Sequence, residues 1–225
     1  MKKALFTLAV SAAAVGSSFA QGLLYFSNSG ANPVKVDSVA ATGTYTAIPT
    51  SATPSYYFAL FYSNTSSAAN GSSAAVVGTT GDTAATFVTG DSTWVQDSGV
   101  LGGNNSSGRA GGFADLAAGA SVNGTSVPAT ISDPYLIVLG WSSNIGSTVG
   151  SVESFLAGED GNVNTGFVGQ SSAQATALSA GGLATINSIN LAGFNLGYVV
   201  VPEPSSIALA ALGGLSLLGL RRKKA

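Results

Sequence analysis

Tyr135-Leu136-Ile137-Val138-Leu139-Gly140-Trp141 decides the fold. It is an uncharged apolar run of strand length, rich in the β-branched and aromatic residues that favour a pleated sheet. Tyr56-Tyr57-Phe58-Ala59-Leu60-Phe61-Tyr62 reads the same way. Neither stretch alternates polar with apolar residues. Each is therefore expected to be a strand covered on both faces, with Tyr135–Trp141, the more hydrophobic of the two, at the centre of the sheet.

Around these lie weaker strand-like runs at Leu23–Ser27, Lys35–Val39, Ala85–Val88, Ser92–Val95 and Phe194–Val201. Glycine-rich stretches such as Gly102–Gly112 read as the loops between them. Many short strands with Gly-rich turns predict a mainly β body, a jelly-roll-like β-sandwich. One short helix is expected over Ser147–Ala157, with Ser147 as its N-cap and Val149, Val152 and Leu156 along one side. Gln174–Leu178 is a second, weaker helix candidate. No fixed-period repeat is present, which argues against a β-solenoid.

The residue inventory excludes much chemistry. The 225-residue chain has no cysteine and no histidine. Disulfides, thiolate metal sites, cysteine nucleophiles, Ser-His-Asp triads and imidazole ligands are all ruled out. Charge is concentrated at the ends. Between Gln21 and Pro202 the basic residues are Lys35 and Arg109, against nine carboxylates: Asp37, Asp82, Asp91, Asp97, Asp115, Asp133, Glu153, Glu159 and Asp160. A body so acidic repels phosphate, so nucleic acid is not an expected partner.

Both ends read as targeting segments. Lys2 and Lys3 precede an apolar run from Ala4 to Val15, and Ser18 and Ala20 supply small residues before a cut between Ala20 and Gln21. This is the layout of a secretory signal peptide, expected as an N-terminal signal helix over 1–20. At the other end Ser205–Leu220 carries no charge. As a helix it would be about 24 Å long, against a hydrocarbon core of about 30 Å. It is expected to be a transmembrane sorting helix that spans with help from its flanks. Arg221, Arg222, Lys223 and Lys224 would hold the C-terminus on the cytoplasmic side, and Pro202 and Pro204 would keep helix from running back into the body. The expected organisation is a signal peptide at 1–20, an all-β exported body at 21–200 and a sorting tail at 201–225.

Val201-Pro202-Glu203-Pro204-Ser205, an apolar segment and four terminal cations, in that order, resemble the PEP-CTERM protein-sorting signal. The same segment also goes by the name of an ice-binding-protein C-terminal domain. The resemblance covers about 25 residues. It implies recognition of Pro202, Glu203 and Pro204 by exosortase, a membrane protease-transpeptidase that cleaves near the motif, in a Gram-negative-type envelope. It further implies an inner-membrane-anchored intermediate and a cell-surface or extracellular destination. The body is loosely similar to small exported proteins of the same kind, through Gln21-Gly22, Phe26-Ser27-Asn28, Phe58–Ser63 and Leu136–Ser143.

The body's own candidate sites are sparse. Asp160–Gly166 (DGNVNTG) spaces oxygen ligands as a calcium loop does, but its glycine falls one position late and Ser171 stands where a bidentate Glu would be; a polar turn is the preferred reading. Glu159 and Asp160 are adjacent, so on a strand they would point to opposite faces; a carboxylate pair could assemble only from distant residues such as Asp91 and Asp133. Gly102–Gly108 lacks the Gly-Lys-Ser/Thr ending of a phosphate loop. Arg109 is expected to pair with a carboxylate or face water. Trp141 reads as core, whereas Trp94, beside Asp91 and Thr93, is a candidate sugar contact. Glycosylation sequons begin at Asn64, Asn70, Asn104, Asn105 and Asn123. No catalytic residue, cofactor or metal is assigned. The expected function is an exported cell-surface or extracellular-matrix protein, with the secretion machinery and exosortase as partners. A carbohydrate-binding module that meets extracellular polysaccharide is the alternative. An ice binder is the weaker third reading, because the threonines are scattered.

Overall fold

The computed structural model describes residues 21–24, 26–28, 31–38, 41–65, 76–78, 83–117, 123–128, 134–159, 163–175 and 193–201. The signal segment and the sorting tail lie outside the described residues. Among the described residues no helix is long and apolar enough to cross a membrane.

The body is mainly β. Its strands are β1 (Gln21–Leu24), β2 (Lys35–Ser38), β3 (Ala41–Ala47), β4 (Tyr56–Ser63), β5 (Val76–Val77), β6 (Val95–Gly103), β7 (Ala114–Asp115), β8 (Asn123–Pro128), β9 (Tyr135–Ser142), β10 (Thr165–Gln170), β11 (Gln174–Ala175) and β12 (Asn195–Val200). One mixed sheet runs β3-β2-β12-β10-β9-β4-β6-β7, with β11 on β9 and β5 on β10. All its pairings are antiparallel except β12 with β2. β1 and β8 form a separate antiparallel pair.

β9 lies inside the sheet, as expected, and β4 is its neighbour. β4 and β9 pair along their whole length, from Tyr56 with Ser142 to Ser63 with Tyr135. Both faces are buried, as the lack of alternation requires. On one face Ala59, Phe61, Ile137, Leu139 and Trp141 pack under the helix α1 (Val149–Ala157) and two short 3-10 turns at Ala84–Thr86 and Val88–Gly90. On the other, Phe58, Leu60, Leu136 and Val138 pack against Phe26, Val34, Ile48, Phe113 and Leu196. The second cover is made largely by the sheet's own β2–β3 end and the chain beside it. The fold is thus one curled sheet with a helical cap. Among the described residues the strands form this one sheet and the small β1–β8 pair, and the two facing sheets of a jelly-roll-like sandwich are not seen.

The second core is seated on a row of small residues. Gly102, Phe58 and Gly140 are cross-strand neighbours on β6, β4 and β9. Phe58 stacks on Phe113 with ring centroids 4.4 Å apart, and Phe26 lies 5.2 Å from Phe113. A Cβ on Gly102 would come within 2.8 Å of the Phe26 ring, and one on Gly140 within 2.9 Å of the Phe58 ring. Gly102 and Gly103 therefore belong to β6, although their composition reads as loop.

Other local expectations shift for identifiable reasons. Ala85–Val88 forms no strand, and β6 starts where the predicted strand at Ser92–Val95 ends. Asp91 accepts hydrogen bonds from the Thr93 amide (3.0 Å) and hydroxyl (2.7 Å), closing a turn that halts extension. The helix is capped by Thr148 instead of Ser147: the Thr148 Oγ1 accepts from the Ser151 amide at 3.2 Å. Its buried side is Val149, Val152 and Leu156, as spaced in the sequence, plus Phe155. It stops at Gly158, whose φ of 73° suits glycine. Gln174-Ala175 opens as strand β11 on β9, not as helix; pairing with a central strand overrides a weak local preference.

Gly140→Ala is expected to overpack the Phe58 site and cost about 1–3 kcal/mol, and Phe113→Ala to cost about 3–5 kcal/mol by opening a cavity. Urea unfolding of the two variants, read at unchanged m-value, checks both.

Candidate functional site

The chemistry-bearing tail begins where the body's last strand ends, so β12 is the element that positions it. β12 lies antiparallel to β10, with Val200 opposite Thr165 and Val199 opposite Gly166. Val199 and Val201 are core residues on the helix side of the sheet. Val201 is only 9% exposed, and its amide donates to the Asn164 carbonyl at 2.8 Å. The folded body thus extends one residue past the expected boundary at 200, and Pro202 follows a residue that is fixed in place. Nearby, the Asn144 side-chain amide donates to the Thr165 carbonyl at 2.7 Å, and the Ser143 amide to the Ser55 carbonyl at 2.9 Å. Burial raises the Tyr56 phenol above its ordinary value, so this end of β4 stays neutral at physiological pH. Pro202, Glu203, Pro204, Arg221, Arg222, Lys223 and Lys224 lie outside the described residues. At the other terminus, Ala20 does as well, while Gln21 opens β1 against Pro128.

Residues 200–223 match the PEP-CTERM protein-sorting motif. The chain carries that motif, and its first two residues are the last paired residue of β12 and the buried Val201. Comparison with curated proteins and with solved structures finds no match.

The body's candidate sites fare differently. Trp94 is 6% exposed and packs in the helix-side core, so it offers no stacking face for a sugar. The Asp91–Trp94 turn, closed by the Trp94 amide donating to the Asp91 carbonyl at 3.1 Å, leaves Ser92 and Thr93 exposed and Trp94 buried. Trp141 is fully buried, as expected, and its indole N–H donates to the Gly146 carbonyl at 2.8 Å. Of the calcium-loop stretch, Asp160, Gly161 and Asn162 lie outside the described residues, and Thr165 and Gly166 belong to β10. No cluster of three or more potential metal ligands occurs among the described residues. Glu159 is exposed just beyond the helix, its amide donating to the Ser154 carbonyl at 2.9 Å. Asp133 lies outside the described residues, and Asp91 is engaged in its own turn.

Among the described residues the partner of Arg109 is Asn28, not a carboxylate. Its guanidinium donates to the Asn28 carbonyl and to Asn28 Oδ1. Asn28 in turn donates to the Asn32 and Gly111 carbonyls, each at 2.8 Å, and accepts from the Phe113 amide at 2.8 Å. Asn104 is fully buried, accepting from the Ser55 (2.9 Å) and Tyr56 (3.1 Å) amides and donating to the Pro49 carbonyl (2.9 Å). It is a structural crosslink, closed to glycosylation in the folded state. Thr44 and Thr46 are exposed on β3, but Thr46 sits opposite Val36, so no adjoining threonine row builds an ice-binding array there.

Trp94→Ala is expected to cost about 3–5 kcal/mol of stability. In the native protein acrylamide should quench tryptophan fluorescence weakly, and fully only after unfolding; strong native quenching would place a tryptophan at the surface.

Proposed function

We propose that this chain is an exported, non-catalytic protein. Its tail is held in the inner membrane and processed by exosortase, and its body is then deployed at the cell surface or in the extracellular matrix. The sorting-motif match over residues 200–223 carries the reading. The basic-then-apolar N-terminus supports entry into the secretion machinery, and the four C-terminal cations support a cytoplasmic end for the anchored intermediate. Pro202, Glu203 and Pro204 are substrate for another enzyme in this scheme.

The state of the body's buried carboxylates supports a non-catalytic role. Asp97 Oδ1 accepts from the Gly99 amide at 2.9 Å, and Asp115 accepts from the Ala117 (2.7 Å) and Leu101 (3.2 Å) amides. Asp37 accepts from the Ser38 (2.8 Å) and Gly43 (3.0 Å) amides, closing the β2–β3 hairpin. These groups close turns and bulges. With no histidine or cysteine in the chain, a general base with an orienting partner is wanting. With Trp94 in the core, no specific residue recommends the carbohydrate-binding alternative.

Intact-mass measurement of the protein recovered from its native host tests the proposal. The expected product begins at Gln21 and ends near the Pro-Glu-Pro motif. Replacing Glu203 by Ala is expected to leave the tail attached and the protein in the membrane fraction. Full-length protein with both ends in place in the cytosol would refute it.

A further inference from the structure

The place where the body meets its tail fixes which way the body faces. From Val201, locked in the core, to Ser205, where the uncharged segment begins, there are four peptide steps, at most about 14 Å of fully extended chain. The headgroup layer on each side of a bilayer is itself about 5–8 Å thick. If Ser205 enters the membrane, the end of the sheet from which β12 leaves cannot stand clear of the lipid surface.

That end is a continuous rim. Val201 is bonded to Asn164, and Thr165, next in sequence, to Asn144; Ser143, beside Asn144, is bonded to Ser55. Asn144, Ser147 and Asn164 are exposed, and no residue of the rim carries a charge. Four of the body's carboxylates lie on other elements. Asp91 and Asp97 flank the start of β6, whose Val95 and Gln96 pair with Tyr62 and Phe61 toward the opposite end of the sheet. Glu153 and Glu159 lie along and beyond α1, whose N-cap Thr148 follows the rim residues Ser143 and Asn144 in the chain. In an otherwise acidic body, a rim of uncharged side chains can approach anionic headgroups with less repulsion than a carboxylate-bearing surface would meet.

We propose that this rim is the body's membrane-facing surface, and that its partner while the tail is inserted is the lipid headgroup layer. The inference rests on the reading that the tail enters the membrane. It also sets the start of β6, with Asp91 and Asp97 beside it, outward.

The absence of native cysteine makes the test direct, since one introduced thiol is unique. Single-cysteine variants at Asn144, Ser147, Thr93 and Gln96, all exposed positions, are labelled with a fluorophore in the full chain. The chain is reconstituted into phosphatidylethanolamine–phosphatidylglycerol vesicles carrying a headgroup-attached quencher. Labels at Asn144 and Ser147 should be quenched at least about twofold more than those at Thr93 and Gln96, given that the first pair would lie within a headgroup's depth of the lipid. Equal quenching at all four positions, or stronger quenching at Thr93 and Gln96, in protein that floats with the vesicles overturns the orientation and leaves the sorting role standing. A full chain that does not float with the vesicles refutes tail insertion and the orientation together.

Discussion

The stack of Phe58 on Phe113 is the contact on which this fold depends most. Phe58 is the middle of a cross-strand row flanked by Gly102 and Gly140; its ring fills the space above Gly140, and the Phe26 ring fills that above Gly102. Phe113, Phe26 and Phe194 then close over it, from segments far apart in the chain. Aromatic pairs add about 0.5–1.5 kcal/mol each beyond their burial. The larger effect here is topological. Phe26 lies just after β1, Phe113 before β7 and Phe194 before β12, so one cluster draws three separate strands toward the same face of β4.

Neutral amides perform the long-range fastening that disulfides or ion pairs provide in other exported proteins. Asn28 holds the Gly111–Phe113 turn, Asn104 ties Pro49 and Ser55-Tyr56 to the end of β6, and Gln170 Oε1 accepts from the Val88 amide at 2.7 Å. Each of these side chains is buried. A buried amide that loses its partner costs the full desolvation of what it leaves behind, about 1–3 kcal/mol. Such crosslinks therefore specify a single arrangement more sharply than they add net stability. They also form without an oxidant, in keeping with a chain that has no cysteine.

The elements legible in the sequence were those whose pattern depends on burial alone. β4 and β9 could be read as two-sided strands because no residue in either needs water, and α1 because Val149, Val152 and Leu156 repeat at helical spacing. Misreadings arose where a local signal served a tertiary purpose. Glycine in Gly102-Gly103 signals a loop, yet here it makes room for Phe26 within a strand. Asp91 and Thr93 make Trp94 look like a surface residue, yet their mutual hydrogen bonds form a turn that leaves Trp94 in the core. The tail motif was fully legible because a sorting signal is read by its order of residue types and needs no fold. The juncture is legible as a strand-like run through Val201; its partner, the Asn164 carbonyl that accepts from the Val201 amide, is not.

A tight juncture constrains the chain that follows it. A tail on a long flexible spacer would let the body tumble, and its acidic surface would meet anionic lipid in unfavourable orientations as often as favourable ones. With Val201 fixed between β10 and the core, the chain that follows it starts from a set position at the end of the sheet. Bonds before Val201 lie in a paired strand, whose removal would expose Leu196 and Val199 from opposite faces of the sheet. A cut beyond Val201 would leave every described strand and both cores in place.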